Sequence, residues 1–197
     1  MLFRAGVLGW VIVLFACCAG GQEPSSQHKR VSGDVYAGYS LLSPNYGEKL
    51  LGGPAENGPA VGGDLRLVRF MALAFEANWS SVTYGSQLSS SNFTMLGGGR
   101  VFFPPGPHAR VRLLADALAG ATDMTQLTGI NSPFTSSVAL AVAADGGAEF
   151  RMIGPLAVRV EGGYLHSGYK TRYPDTDPQS SIHNQHGRLL IEGVWHF

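Results

Sequence analysis

Apolar and polar residues alternate along most of the chain after Arg30, with a period of two residues. Such alternation is typical of β-strands with one apolar face and one polar face, because successive side chains point to opposite faces. No later segment contains about 18 consecutive apolar residues, so we expect no transmembrane helix. The pattern predicts eight strands: Asp34–Leu41, Val61–Val68, Leu73–Val82, Phe93–Phe103, Arg110–Thr122, Val138–Phe150, Leu156–Leu165 and Arg188–Phe197.

The connections between these runs alternate between two lengths. In an up-and-down meander, alternate connections lie at the same end of the sheet. Short turns at one end and long loops at the other are typical of outer-membrane barrels, and strands of about ten residues match a bilayer core. The predicted turns are Arg69–Ala72, Pro104–His108 and Met152–Pro155, and the predicted loops are Leu42–Ala60, Thr83–Asn92, Asp123–Ser137 and Ser167–Gly187.

Charged residues within the runs fall on the face opposite the aliphatic residues, whereas a soluble barrel carries its charges outside. We therefore predict an all-β, eight-stranded, antiparallel, up-and-down transmembrane β-barrel with an apolar wall. Its interior is just wide enough to be filled by side chains, so Arg–carboxylate pairs are expected to plug it. Arg110 shares the charged face. The predicted interior charge network is Asp34, Asp64, Arg66, Glu76, Arg100, Arg112, Asp116, Asp145, Glu149, Arg159, Glu161, Arg188 and Glu192.

Aromatic residues concentrate near the ends of the runs. Membrane barrels carry two girdles of such rings at the level of the lipid headgroups. We therefore interpret two groups as girdles: Phe70, Phe102, Phe103 and Trp195 near the turns, and Tyr39, Trp79, Tyr84 and Tyr164 near the loops.

The N-terminal segment has the order of residues found in a secretory signal peptide. Arg4 precedes the apolar run Ala5–Phe15, and small residues follow as far as Gly21. We predict a cleaved signal peptide at residues 1–21, a linker at 22–30 and the barrel at 31–197.

Both cysteines, Cys17 and Cys18, lie within this predicted signal peptide. Its removal leaves no thiol, disulfide or cysteine-ligated metal in the mature chain. The segment Leu14–Cys17 partly resembles the bacterial lipoprotein processing motif, but Phe15 is a poor match at its middle position. We interpret the cysteines as ordinary small residues, and lipidation of Cys17 stays open.

Composition narrows the class of protein. Hydrophobic residues make up 45% of the chain and charged residues 14%, whereas soluble domains carry roughly a quarter charged residues. Lys+Arg and Asp+Glu number 14 each, so the chain lacks the basic excess of a nucleic-acid-binding protein.

Several segments resemble those of a known family. Asp34–Ser40 resembles the first strand of OmpA-type small outer-membrane barrels, and Gly98–Phe102 and Gly146–Phe150 are similar to strands of outer-membrane β-barrel porin-family proteins. The terminal residues resemble the signal read by the outer-membrane assembly machinery, with Trp195 and Phe197 as its main positions. The resemblance covers about 31–197. It implies an outer-membrane location, with lipid and the barrel assembly machinery as partners.

That family includes a few lipid-modifying enzymes, and His166 with Ser167 invites comparison with the lipid A deacylases. Those enzymes place a His/Ser pair two residues apart on the lipid-facing wall, so that both side chains share a face. Here the two residues are adjacent and point to opposite faces. We therefore predict a protein without enzymatic activity.

Histidine and aspartate residues in the last predicted loop raise the question of a metal site. His183 and His186 share the last predicted loop with Asp175 and Asp177. Because the spacing identifies no third and fourth ligands, we interpret this segment as a solvated loop and expect neither a metal nor a cofactor.

The sequence thus predicts an exported outer-membrane protein with a structural or surface-interaction role. The longest predicted loops, Leu42–Ala60 and Ser167–Gly187, are the candidate contacts with an external partner, whose identity the sequence does not give. Two alternatives stay open: an outer-membrane lipid-modifying hydrolase, and a soluble secreted barrel that binds an apolar ligand.

Overall fold

The computed structural model describes residues 32–43, 55–84, 88–103, 110–127, 135–171 and 180–197. Side chains are described over 32–43, 55–81, 91–103, 110–123, 138–168 and 185–197. The predicted signal peptide, the linker 22–30 and both cysteines lie outside these ranges. Among the described residues, no helix is long and apolar enough to cross a membrane.

Eight antiparallel strands follow one another around a closed barrel, and the first strand pairs with the last. This confirms the all-β, eight-stranded, up-and-down barrel that the alternation predicts. The strands are β1 (Gly33–Leu42), β2 (Glu56–Val68), β3 (Met71–Tyr84), β4 (Leu88–Phe103), β5 (Val111–Leu127), β6 (Thr135–Arg151), β7 (Leu156–Thr171) and β8 (Ser180–His196).

The strands are longer than predicted, chiefly at the end where the loops were expected. The predicted loop Thr83–Asn92 is reduced to a connection at 85–87, and Ser167–Gly187 is reduced to 172–179. At the opposite end the connection between β4 and β5 occupies 104–110, so the predicted division into short turns and long loops is weaker than expected. The extensions were missed because apolar and polar residues do not alternate regularly there.

The outward-facing apolar residues form a band that is shorter than the strands. On β5 the exposed positions are apolar from Val111 to Ala121, and the next outward position is Asp123. On β4 the corresponding change lies between Phe93 and Ser91. A band of about ten residues matches a bilayer core, so the remainder of these strands, of 16 and 17 residues, extends past it.

The ladder registers place residues from neighbouring strands side by side on the inner face. Arg100 of β4 pairs with Asp116 of β5, and Asp116 pairs in turn with Asp145 of β6. Directly paired residues point to the same face of a sheet. The register therefore brings charged positions together that are remote in sequence.

Close packing around the small barrel depends on glycine at inward positions. A Cβ atom at Gly98 would lie 2.1 Å from the carbonyl oxygen of Ala117 and 2.9 Å from the Cα atom of Leu118. At the next residue, Gly99, a Cβ atom meets nothing within 4 Å.

We expect Gly98→Ala to destabilise the barrel by about 1–3 kcal/mol, because the new methyl group forces β4 away from β5. Gly99→Ala is the matched control and should change the free energy of unfolding by less than about 0.5 kcal/mol. Urea unfolding of the refolded barrel in detergent, followed by tryptophan fluorescence, measures both. Equal effects of the two substitutions would contradict this account of the packing.

Candidate functional site

The inner face of the barrel changes in character from one end to the other. We call the end with the connections 69–70, 104–110 and 152–155 the turn end, and the opposite end the loop end. Along β4 the inward positions run from Asn92 and Thr94 near the loop end, through Leu96, to Arg100 and Phe102 near the turn end. Charges thus concentrate towards the turn end, and hydroxyl and amide groups towards the loop end.

All thirteen residues of the predicted charge network have inward positions in the barrel. Twelve are buried, and the Arg66 side chain is 15% exposed. Arg110 was predicted to lie on the same face as these residues. It lies exposed at a bend just before β5 and does not point into the lumen.

Arg100 is the centre of the largest group of ion pairs. Its Nη1 donates to both carboxylate oxygens of Asp64 at 3.0 Å, and its Nε and Nη2 donate to Asp116 Oδ2 at 2.9 and 2.6 Å. Nη2 also donates to Glu161 Oε2 at 3.0 Å. One fully buried guanidinium therefore joins carboxylates from β2, β5 and β7.

Arg159 forms a second group that shares carboxylates with the first. Its Nη2 lies 3.0 Å from Asp64 Oδ2 and 2.9 Å from Glu149 Oε2. Arg112 donates to the other oxygen of Glu149. The ring of Tyr36 lies near both central arginines, 5.3 Å from Arg100 Cζ and 4.9 Å from Arg159 Cζ. Such cation–π contacts add to the attraction that the carboxylates supply.

Arg188 joins opposite parts of the wall. Its guanidinium donates to both oxygens of Glu76, at 2.8 and 3.0 Å, and to both oxygens of Asp145, at 2.7 and 2.5 Å. The three residues belong to β8, β3 and β6. This paired, forked geometry is the one that arginine makes and lysine does not.

A mixed ionic and aromatic group lies at the turn end of the lumen. Asp34 accepts hydrogen bonds from Arg66 Nη2 at 2.7 Å and lies 2.6 Å from His196 Nδ1. Phe102 is fully buried, with Arg66 Cζ 4.3 Å and Arg112 Cζ 5.1 Å from its ring centre. The interpretation of Phe102 as a girdle residue was therefore wrong: its even position places it inside, where it packs against guanidinium groups.

At the loop end the buried polar groups are mostly uncharged. Glu56 accepts hydrogen bonds from Ser80 Oγ at 2.9 Å and from Asn92 Nδ2 at 2.6 Å. Glu56 was predicted to lie in the loop Leu42–Ala60, but it begins β2, whose alternation is interrupted by Gly58 and Pro59. Glu56 and Asp64 lie an even number of positions apart in β2, so both side chains point inward. That spacing was the signal that would have identified Glu56 as a lumen residue.

His186 also lies at this end, and the prediction of a solvated loop was wrong for it. Its side chain is buried in β8, and Nδ1 lies 2.7 Å from the carbonyl oxygen of Ser43. His183 belongs to the same strand, but its side chain lies outside the described ranges, as do Asp175 and Asp177.

A buried apolar layer lies part-way along the lumen, and two of its members, Leu96 and Leu42, pair across the ladders with Glu76 and Arg188. Leu96, Leu118 and Leu165 belong to one buried cluster and come from β4, β5 and β7. On each of these strands the leucine lies between a charged residue and a hydroxyl-bearing one. The expectation of a purely ionic interior is thus incomplete.

The remaining predicted residues lie on the wall. Ser167 is buried inside the barrel, whereas His166 is half-buried on the other face, as expected for neighbours in a strand. Trp195 and Phe197 are exposed at the turn end. The backbone N–H and carbonyl groups of Phe197 bond to Gly33, which joins the end of the chain to β1.

Comparison with known proteins shows what this fold is similar to. No protein-family model and no curated protein matches the chain. Among solved structures, Neisserial surface protein A superposes with a TM-score of 0.62 and 10% identity, over 85% of this chain and 97% of that one. The outer membrane protein OprG from Pseudomonas aeruginosa has a TM-score of 0.59 and 10% identity, over 86% and 97%.

A third structure is that of Ail, the attachment invasion locus protein of Yersinia pestis, in complex with the heparin analogue sucrose octasulfate. It has a TM-score of 0.55 and 11% identity, over 85% of this chain and 99% of that one. At such identities the likeness shows the fold, which is that of small outer-membrane barrels.

We expect Arg100→Met to destabilise the barrel by about 3–5 kcal/mol, because it leaves buried carboxylates without their main partner. Arg66→Met is the matched control. It should cost only about 1 kcal/mol, since Arg66 is partly exposed and Asp34 keeps its contact with His196. Urea unfolding in detergent measures both free energies. A cost for Arg100→Met no larger than that for Arg66→Met would contradict the central role of Arg100.

Proposed function

We propose that this protein is a non-enzymatic barrel of a bacterial outer membrane, with a structural or surface-interaction role. The observation that carries the proposal is the inverted arrangement of the barrel. Its outward side chains form an apolar band of bilayer thickness, and its charged side chains pair inside. A barrel in water has its charged side chains outside and its apolar side chains inside. A barrel in lipid needs an apolar outer surface, as this one has. The shared fold with bacterial outer-membrane proteins and the predicted signal peptide support the same location.

The lumen acts as a brace rather than a pore in this proposal. Arg188 joins β8 to β3 and β6, and Arg100 joins β4 to β2, β5 and β7. Leu96 and its neighbours in the apolar layer add buried apolar side chains to the same lumen. Together they fill the cross-section, so we expect the barrel to hold its shape without conducting ions.

The surface role falls to the parts of the sheet that extend past the apolar band. These extensions lie at the loop end, on the same side as the connections 43–55 and 172–179. They present a raised β-surface with polar outward positions such as Ser81, where part of the predicted loops Thr83–Asn92 and Ser167–Gly187 was expected. A partner outside the cell meets this surface first.

The two alternative functions receive less support. A hydrolase on the lipid-facing wall needs its serine and histidine on one face, and Ser167 and His166 lie on opposite faces. A soluble carrier of apolar ligands needs an apolar interior, whereas the centre of this lumen holds Arg100, Arg159 and Arg188 with their carboxylates.

Membrane fractionation tests the location. We expect the protein expressed in a Gram-negative host to appear in the outer-membrane fraction and to migrate faster on SDS gels before boiling than after it. The folded barrel resists SDS, which causes that difference. Recovery of the protein in the soluble periplasmic fraction would overturn both the location and the membrane role.

Planar-bilayer recordings test the closed lumen. The reconstituted barrel should give no stable conductance steps, because paired charges and the apolar layer fill the cross-section. A general porin inserted in parallel shows that the assay detects open channels. Reproducible conductance steps from the wild-type barrel would contradict a filled lumen and favour a pore.

A further inference from the structure

Three carboxylates from adjacent strands converge in the middle of the lumen. Asp116, Asp145 and Glu161 each place one oxygen within 4.8 Å of the corresponding oxygens of the other two. All three are buried. Asp116 and Asp145 are directly paired across β5 and β6, a position at which like charges repel. The convergence therefore needs positive charge to hold it.

The neighbouring arginines supply only part of that charge. Arg100 divides its single charge among Asp64, Asp116 and Glu161, and Arg188 divides its charge between Asp145 and Glu76. Arg159 adds a third guanidinium, whose Nε lies 3.6 Å from Glu161 Oε1, but it also lies within 4 Å of Asp34, Asp64, Glu149 and Glu192. Three guanidinium groups thus serve eight carboxylates.

The same imbalance extends over the whole described lumen. It contains nine buried carboxylates and five arginines, and His186 and His196 supply at most two further charges. The carboxylates are Asp34, Glu56, Asp64, Glu76, Asp116, Asp145, Glu149, Glu161 and Glu192, and the arginines are Arg66, Arg100, Arg112, Arg159 and Arg188.

A second observation points to a ligand at the convergence. Asp116 accepts hydrogen bonds from Arg100 through Oδ2 alone, and its Oδ1 has no hydrogen-bond partner although the side chain is fully buried. A buried carboxylate oxygen without a partner is costly, since nothing replaces the water that it lost. A cation among the three carboxylates removes that cost.

We propose that Asp116, Asp145 and Glu161 form a binding site for one divalent cation, with Ca²⁺ as the preferred ion. Ca²⁺ takes only oxygen ligands, at about 2.4 Å, so two oxygens on one ion lie at most about 5 Å apart. The three oxygens lie within 4.8 Å of one another, which is inside this limit. Each carboxylate oxygen has two lone pairs, so Asp145 binds the ion while it also accepts from Arg188. The bound ion cross-links β5, β6 and β7 from inside the barrel.

Direct measurement of bound calcium tests the site. The barrel is unfolded in urea with EDTA, refolded in detergent with Ca²⁺ so that entry into the lumen does not limit binding, and passed through a desalting column. We expect about one calcium per barrel by atomic absorption, and a higher unfolding temperature than that of protein refolded in EDTA. Absence of bound calcium from the folded wild-type protein would overturn the proposal.

Three variants with the same change in charge locate the ion. Asp116→Asn and Glu161→Gln should lower calcium affinity about tenfold or more. Loss of a group that only hydrogen-bonds to a metal ligand already lowers metal affinity about 10–100-fold, and these two residues are ligands themselves. Glu56→Gln removes a buried lumen carboxylate that bonds to Ser80 and Asn92, and it should keep the calcium.

The outcomes separate a site from general charge balance. Only protein that shows the faster migration of the folded barrel is counted, and Glu161→Gln suffices if Asp116→Asn does not fold. Loss of calcium from Glu56→Gln as well would mean a diffuse counterion and would overturn the site. Retention by both cluster variants would overturn the assigned ligands. The fractionation and conductance experiments do not depend on calcium binding. They therefore test the proposed function independently of the calcium site.

Discussion

The sharing of a few guanidinium groups among many buried carboxylates is the interaction on which the rest of the barrel depends. Arg100 and Arg159 are fully buried and have Asp64 as a common partner. Removing such charges from water costs several kcal/mol per ion, and only dense hydrogen bonding offsets it. Arginine meets this requirement because its planar fork serves two carboxylates at once. The described lumen accordingly contains arginine and no lysine.

The division of each strand into an inner and an outer face was predictable from sequence. Side chains alternate strictly in a strand, so one correctly placed residue such as Asp64 fixes the faces of its neighbours. The inward positions of the predicted charged residues follow from this alternation, although nothing in the sequence identifies the partner of each one. The pairing itself was not predictable: Glu161 lies 61 positions after Arg100, and only the closure of the barrel brings β7 opposite β4.

Two kinds of segment were predicted wrongly, for two physical reasons. Where apolar and polar residues stop alternating, the sequence does not mark a strand, and β3 and β4 continue to Tyr84 and from Leu88 past the predicted bounds. Where an apolar residue lies inside a charged lumen, its type suggests the wrong environment. Phe102 was assigned to a girdle by its chemistry, while its parity and its contacts with two arginines place it inside.

The apolar layer gives the uneven lumen a physical rationale. On β4, β5 and β7, Leu96, Leu118 and Leu165 lie on the loop-end side of Arg100, Asp116 and Glu161. Coulombic attraction weakens as the local dielectric constant rises, so ion pairs exposed to water from the loop end hold the wall less firmly. The three leucines lie on that side of the Arg100 group, and Phe102 is buried on its turn-end side. The ion pairs of Arg100 therefore have apolar neighbours towards both ends of the barrel.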